Sequence, residues 1–219
     1  MKDIDKQGVA RAYARWAPVY DLVFGRVFEA GRKASIAAAE HVGGRILDVG
    51  IGTGISLSDY APHNRISGVD LSEPMLKKAR ERVLSQKLDN VEIIAVMDVN
   101  HLGFADESFD VVLAQYVVTA VPDPEAALNE FVRVCKPGGE IILVNHIGAE
   151  SGPRKLFEQG FAPLARRLGW RPEFKWERME AWERSHGGVH LIERRPMPPL
   201  GHFSMMRYGK RRRAPSGVS

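Results

Sequence analysis

Between Arg45 and Asn145 the chain alternates short apolar runs with helical stretches, and this alternation constrains the fold more than any other feature. The runs are Ile46–Val49, Ile66–Val69, Val91–Val96, Phe109–Ala114 and Glu140–Asn145, all rich in Val or Ile. Helices are expected at Gly54–Tyr60, Glu73–Gln86 and Pro124–Cys135. Continuous apolar strands joined by helices are the mark of a parallel sheet covered on both faces. Asp123-Pro124 supplies a helix N-cap and first-position proline, and Lys136-Pro137-Gly138-Gly139 is expected to end that helix and turn into the next strand.

The flanks read differently. The first 45 residues are helical in pattern, with a break before Pro18. After Asn145 a helical insert is expected at about 153–185, followed by strands at Val189–Arg194 and His202–Tyr208 that form a terminal hairpin through the Pro196–Pro199 turn. Lys210–Arg213 and the residues beyond read as a disordered basic tail. The organisation is therefore an N-terminal helical lid or membrane-contact segment over 1–44, one domain over 45–209 with an acceptor-side insert at about 147–187, and a tail over 210–219. A length of 219 residues suits that plan.

Charge is unevenly spread. Residues 1–150 hold 16 Lys+Arg against 21 Asp+Glu, a net of −5, whereas residues 151–219 hold 15 against 6, a net of +9. A basic half beside an acidic one points to a polyanionic partner, nucleic acid or an anionic membrane. The single cysteine, Cys135, makes an internal disulfide impossible and a thiolate zinc site implausible. No apolar run is long enough to span a bilayer, and the N-terminus lacks a secretory signal pattern, so a cytoplasmic location is expected.

Chemistry enters at Leu47-Asp48-Val49-Gly50-Ile51-Gly52-Thr53-Gly54, which ends the first strand. Glycines there permit positive φ and let backbone approach a ligand closely. The second strand ends at Asp70, where a carboxylate can accept both hydroxyls of a ribose. A dinucleotide-binding G-x-G-x-x-G would need a third glycine at position 55, and Ile55 stands there.

The runs Asp48–Gly54 and Gly68-Val-Asp-Leu-Ser-Glu-Pro-Met75 resemble motifs I and II of class I S-adenosylmethionine-dependent methyltransferases. Phe109–Gln115 and Arg133–Gly139 are similar to the family's later strands and turn. The resemblance implies an α/β, Rossmann-like, seven-stranded and mostly parallel sheet with an antiparallel last strand and helices on both faces. It also implies S-adenosylmethionine as cofactor. Asp48, Gly50, Gly52, Thr53 and Gly54 would cradle its methionine part, Asp70 its ribose, and Leu71, Met75, Met97, Asp98 and Val99 its adenine. Gln115 and Tyr116 would sit beside the sulfonium.

The acceptor is chosen elsewhere. Amino-directed nucleic-acid methyltransferases carry an acid-Pro-Pro-aromatic stretch where this chain has Gln115-Tyr116-Val117-Val118, so no nucleic-acid partner is expected. Val9, Tyr13, Trp16 and Tyr20 recur at helical spacing among Lys6, Arg11 and Arg15, a pattern suited to a helix lying in lipid headgroups. Tyr13-Ala-Arg-Trp16-Ala-Pro-Val-Tyr20-Asp21 is similar to a signature shared by quinone C-methyltransferases and bacterial phosphatidylethanolamine N-methyltransferases. Phosphatidylethanolamine and its methylated forms are thus the expected acceptors, at an anionic surface on the inner face of the cytoplasmic membrane. A quinone precursor is the alternative. His146 is the expected base or proton relay, with Tyr13 and Tyr20 as catalytic partners and Tyr20 also near the cofactor. Tyr13, Tyr116 and His146 would contact the amine, and Lys155, Arg171, Arg178 and Arg207 are candidates for the lipid phosphate.

Overall fold

The computed structural model describes residues 28–147, 174–198 and 201–212. Their strands form one seven-stranded sheet: β1 (Arg45–Val49), β2 (Arg65–Asp70), β3 (Val91–Val96), β4 (Phe109–Gln115), β5 (Cys135–His146), β6 (Val189–Met197) and β7 (Phe203–Lys210). The spatial order is β3-β2-β1-β4-β5-β7-β6. All pairs among β1 to β5 are parallel, and β7 runs antiparallel to both β5 and β6. The expected antiparallel last strand is therefore present, wedged inside the sheet, with β6 at the edge.

Alternation along the central strands fills two cores. On one face Leu47, Val112, Ile141, Leu143 and Met206 pack with α3 (Pro124–Val134) and α4 (Trp176–His186) through Leu128, Phe131, Met179 and Trp182. On the other, Ile46, Ile66, Leu113, Ile142 and Val144 meet α1 (residues 28–42) and α2 (Glu73–Gln86) through Ile36, Ala39, Leu76 and Ala79. Side chains pointing to opposite faces of a strand explain why consecutive residues belong to different cores.

Two local expectations change. Gly54–Tyr60 forms only a single 3-10 turn, Leu57–Asp59, because the Ser56 and Tyr60 hydroxyls donate to buried Asp48 and Pro62 disfavours a helical Ala61. Lys136–Gly139 does not separate helix from strand. β5 already pairs with β4 at Cys135, and the Pro-Gly-Gly residues form an irregularity between the Phe109 and Val111 registers. Of the helical insert, α4 is the described part. Residues 1–27, 148–173 and 213–219, which hold Tyr13, Tyr20, Lys155 and Arg171, lie outside the described residues.

Candidate functional site

The carboxyl ends of β1, β2, β4 and β5 meet along one edge of the sheet, the place where open α/β sheets bind ligands. The β1 strand leads into the glycine loop, whose Gly50 and Ile51 amides both donate to the Val69 carbonyl at 2.7 and 3.1 Å. Asp70 then acts as a clamp. Its Oδ2 accepts from the Gly52 amide at 2.9 Å and its Oδ1 from the Ser72 amide at 2.8 Å, tying the loop to the start of α2. Burial raises its pKa above the ordinary value while these backbone donors pull it back. Each carboxylate oxygen can still accept a second hydrogen bond, as a ribose diol requires.

Asp48 forms the floor of the loop. It is 1% exposed, and its Oδ2 accepts from Ser56 Oγ and Tyr60 Oη, both at 3.0 Å. Burial pushes its carboxyl up to about 7, against the lowering effect of those two hydroxyls and with a further push from Asp70.

Two glycines in the loop serve different ends. Gly54 has φ +72°, and a methyl group there would come within 2.9 Å of Ala79 and Leu57, so this glycine lets α2 pack closely. Gly52 has φ +54°, and a methyl there would meet nothing within 4 Å. Its surface is open beside the Asp70 carboxylate, which fits a ligand with no phosphate laid against bare backbone and bonded through a diol.

The adenine-side candidates fall into two groups. Leu71 is 41% exposed next to Asp70, and the half-buried Met97 donates its amide to the Asp70 carbonyl at 3.0 Å. Asp98 Oδ1 accepts from the Asn100 amide at 3.0 Å, which shapes the turn after β3. Met75, Val99 and Thr53 are buried beside the loop and the start of α2.

At the end of β4, Gln115 and Tyr116 turn towards α1. Gln115 Nε2 donates to Ser35 Oγ at 3.0 Å and to the Arg32 carbonyl at 3.4 Å. Tyr116 sits at φ +63°, a strained value for a bulky side chain, and its hydroxyl donates to the Phe28 carbonyl at 3.2 Å. Burial raises the Tyr116 phenol, so it stays protonated. Its ring lies 4.2 Å from Phe28 and 5.2 Å from Phe203.

His146 ends β5 within the same cluster, its ring 4.3 Å from that of His202 and 6.4 Å from Phe203. Phe28, His202 and Phe203 are not singled out by the sequence. The one signal for the last two was the terminal hairpin, because the antiparallel register places Phe203 opposite His146.

The two described phosphate candidates are otherwise engaged. Arg178 makes a two-pronged ion pair with Glu125 at 2.5 Å, linking α4 to α3. Arg207 makes another with Glu140 at 2.9 Å and reaches Glu193 at 3.3 Å, in the body of the sheet. Both guanidinium groups are therefore committed to carboxylates within the fold.

The family model for a methyltransferase domain matches residues 47–143, from the first strand to the fifth. A phosphatidylethanolamine N-methyltransferase of Cereibacter sphaeroides is 39% identical over 95% of this chain and 100% of its own length. A demethylmenaquinone methyltransferase of Thermobifida fusca is 32% identical over 77% of this chain and 69% of its own. Among solved structures, phosphoethanolamine N-methyltransferase 2 of Haemonchus contortus in complex with S-adenosyl-L-methionine superposes with a TM-score of 0.70 at 18% identity, covering 91% of this chain and 57% of that one. The open glycine loop, the Asp70 clamp and these relationships agree: the chain belongs to the class I S-adenosylmethionine-dependent methyltransferases.

Proposed function

We propose that this methyltransferase N-methylates phosphatidylethanolamine, in successive steps towards phosphatidylcholine, at an anionic membrane surface. The observation that carries the reading is likeness along the whole chain to a phosphatidylethanolamine N-methyltransferase, combined with a cluster of aromatic and imidazole rings at the acceptor end of the sheet.

S-adenosylmethionine supplies an electrophilic methyl group on a sulfonium. In the proposed site Gly50, Gly52, Gly54 and Asp70 hold it, Leu71, Met97 and Asp98 meet its adenine, and Asp48 fixes the loop from below. The residues around the acceptor have three tasks. They must hold a cation, remove a proton and keep water out. The faces of Tyr116, Phe28 and Phe203 suit an ammonium that becomes more methylated with each round. An ethanolamine nitrogen resembles a lysine amine, so at neutral pH only about one in a thousand is the free nucleophile. His146 takes that proton at a ring nitrogen, and His202 beside it offers the next station towards solvent. Tyr13 and Tyr20 would complete the acceptor wall. The aromatic and cationic stripe of residues 6–20 would rest in the headgroups, where near-surface Lys and Arg each contribute about 1 kcal/mol.

Incubation with methyl-labelled S-adenosylmethionine and a mixed lipid extract, followed by chromatography, tests the reading. Label is expected in mono-, di- or trimethylated phosphatidylethanolamine. Label in a quinone fraction would replace the lipid with a quinone precursor, the acceptor named for the demethylmenaquinone relatives.

A further inference from the structure

Helix α1 carries Ala30, Ala34, Ala37, Ala38 and Ala39, and a glycine only at Gly31. Glycine is less stable in a helix than alanine, so this position needs a reason. The reason lies on β4. A methyl group at Gly31 would stand 2.4 Å from the Tyr116 hydroxyl oxygen and 3.0 Å from Val144 Cγ1, but at an ordinary 3.5 Å from Tyr116 Cζ. The phenol thus rests on bare helix backbone, where its hydroxyl donates to the Phe28 carbonyl, one turn earlier in α1, at 3.2 Å.

Tyr116 reaches that place by a reversal of the strand pattern. Ala114 belongs to the core under α3 and α4, so a strand continued regularly would send Tyr116, two residues on, to the same face. Its φ of +63° turns the ring to the opposite face instead, 4.2 Å from Phe28 and 5.2 Å from Phe203. The Tyr116 amide donates to the Val144 carbonyl at 2.6 Å, and Gln115 before it bonds Ser35 and the Arg32 carbonyl. The end of β4 is therefore tied to α1 on both sides of Gly31: at Phe28 before it, and at Arg32 and Ser35 after it. A strained, bulky residue held by this many partners marks a side chain whose placement is put to use.

We propose that Gly31 is a positioning residue for the methyl acceptor: its missing side chain lets the Tyr116 hydroxyl settle on α1, and this sets where the Tyr116 ring meets the ammonium. This rests on the lipid-amine function proposed above, in which Tyr116 forms part of the acceptor wall. With a methyl at position 31 the hydroxyl loses its seat and its bond to Phe28, and the ring is pushed away from α1. Cation–π attraction needs the cation over the ring face within about 6 Å, so a displaced ring holds the ammonium less well. The atom that meets the methyl is the far end of a side chain. The structure therefore gives way at Tyr116, and α1 stays whole.

Calorimetry on the full chain saturated with S-adenosylhomocysteine tests this, using as probes short-chain phosphatidylcholine and its analogue with carbon in place of the quaternary nitrogen. The two probes share one shape and differ in the cation. The wild-type protein is expected to bind the ammonium lipid about tenfold more tightly than the carbon one, and in Gly31→Ala that ratio should fall to about twofold or less. In a Tyr116→Phe background, where the hydroxyl is gone, adding Gly31→Ala should leave the ratio where Tyr116→Phe alone sets it. A further fall there, or a Gly31→Ala protein that keeps the wild-type ratio even as both affinities drop, makes Gly31 a packing residue and overturns the assignment. So does a wild-type ratio near one. Each of these leaves phosphatidylethanolamine methylation standing. A wild-type protein that puts no label into phosphatidylethanolamine overturns the lipid reading, and this inference with it.

Discussion

Asp48 lies beneath the glycine loop with its charge sealed from water, and this makes folding depend on pH. Its carboxyl ionises near 3.8 in an ordinary setting and at about 7 in the fold. Below the lower value it is neutral in both states and the fold keeps its full stability. As pH rises from there towards 7 the unfolded chain releases the proton more readily, so stability falls, and above 7 it levels off. Asp48→Asn, whose carbonyl can still accept from Ser56 and Tyr60, removes that slope. Denaturant unfolding should show the variant gaining about 2 kcal/mol on the wild type between pH 5 and pH 7; a constant difference would mean that Asp48 ionises normally. The neighbouring glycines make a second residue-scale prediction. Gly54→Ala strains a positive φ and crowds Ala79, so it should cost about 2–4 kcal/mol of stability. Gly52→Ala carries only the strain of φ, about 1–2 kcal/mol, but places a methyl where the cofactor would lie. Calorimetry with S-adenosylhomocysteine should find the larger loss of affinity in Gly52→Ala, and unchanged affinity there would move the cofactor off this loop.

The turn after β3 is held from a distance by one arginine on α3. Arg133 donates to the Leu102 and Phe104 carbonyls and to Asp106 at 2.8 Å, and to Glu130 at 2.7 and 2.8 Å; Glu130 in turn accepts from the Leu102 amide. Arg133→Ala should lower stability by about 1–2 kcal/mol and speed hydrogen exchange in residues 97–107. Exchange at the wild-type rate would show that the segment is held by its own packing. This brace was not legible in the sequence, because a lone arginine bonding carbonyls some thirty residues away leaves no periodic trace. The strands and α2 were legible, since apolar runs and helix propensity act locally: β3 and α2 begin and end where the pattern places them. Of the site, the glycine loop and Asp70 could be read because their spacing encodes a turn. The Tyr116 reversal and the His146–His202 pair could not, because both arise from registers between strands far apart in sequence. The 3-10 turn at Leu57–Asp59 defeated a helical reading because Asp48 takes the two hydroxyls that flank it.

On the scale of the whole molecule the charge split acquires an internal correction. The +9 half spends several of its cations inside the fold: Arg178 on Glu125, Arg207 on Glu140 and Glu193, and Lys210 on the Val132 and Cys135 carbonyls. If the remaining basic residues dock the chain on anionic lipid, sedimentation with anionic vesicles should fade between about 0.1 and 1 M salt, where the screening length shrinks from about 10 to 3 Å. Salt-independent sedimentation would assign docking to apolar contact. Among the described residues no helix is long and apolar enough to cross a membrane. The placement of β7 bears on how the protein is made. Its residues follow β6 in the chain but fill the gap between β5 and β6. During synthesis β5 therefore presents a bare edge until residues 203–210 have left the ribosome, even though the glycine loop and the Asp70 clamp are long since complete. A nascent chain halted after β6 would combine a finished glycine loop with an open, apolar strand, a species that quality-control machinery would recognise by that edge rather than by any defect in the loop.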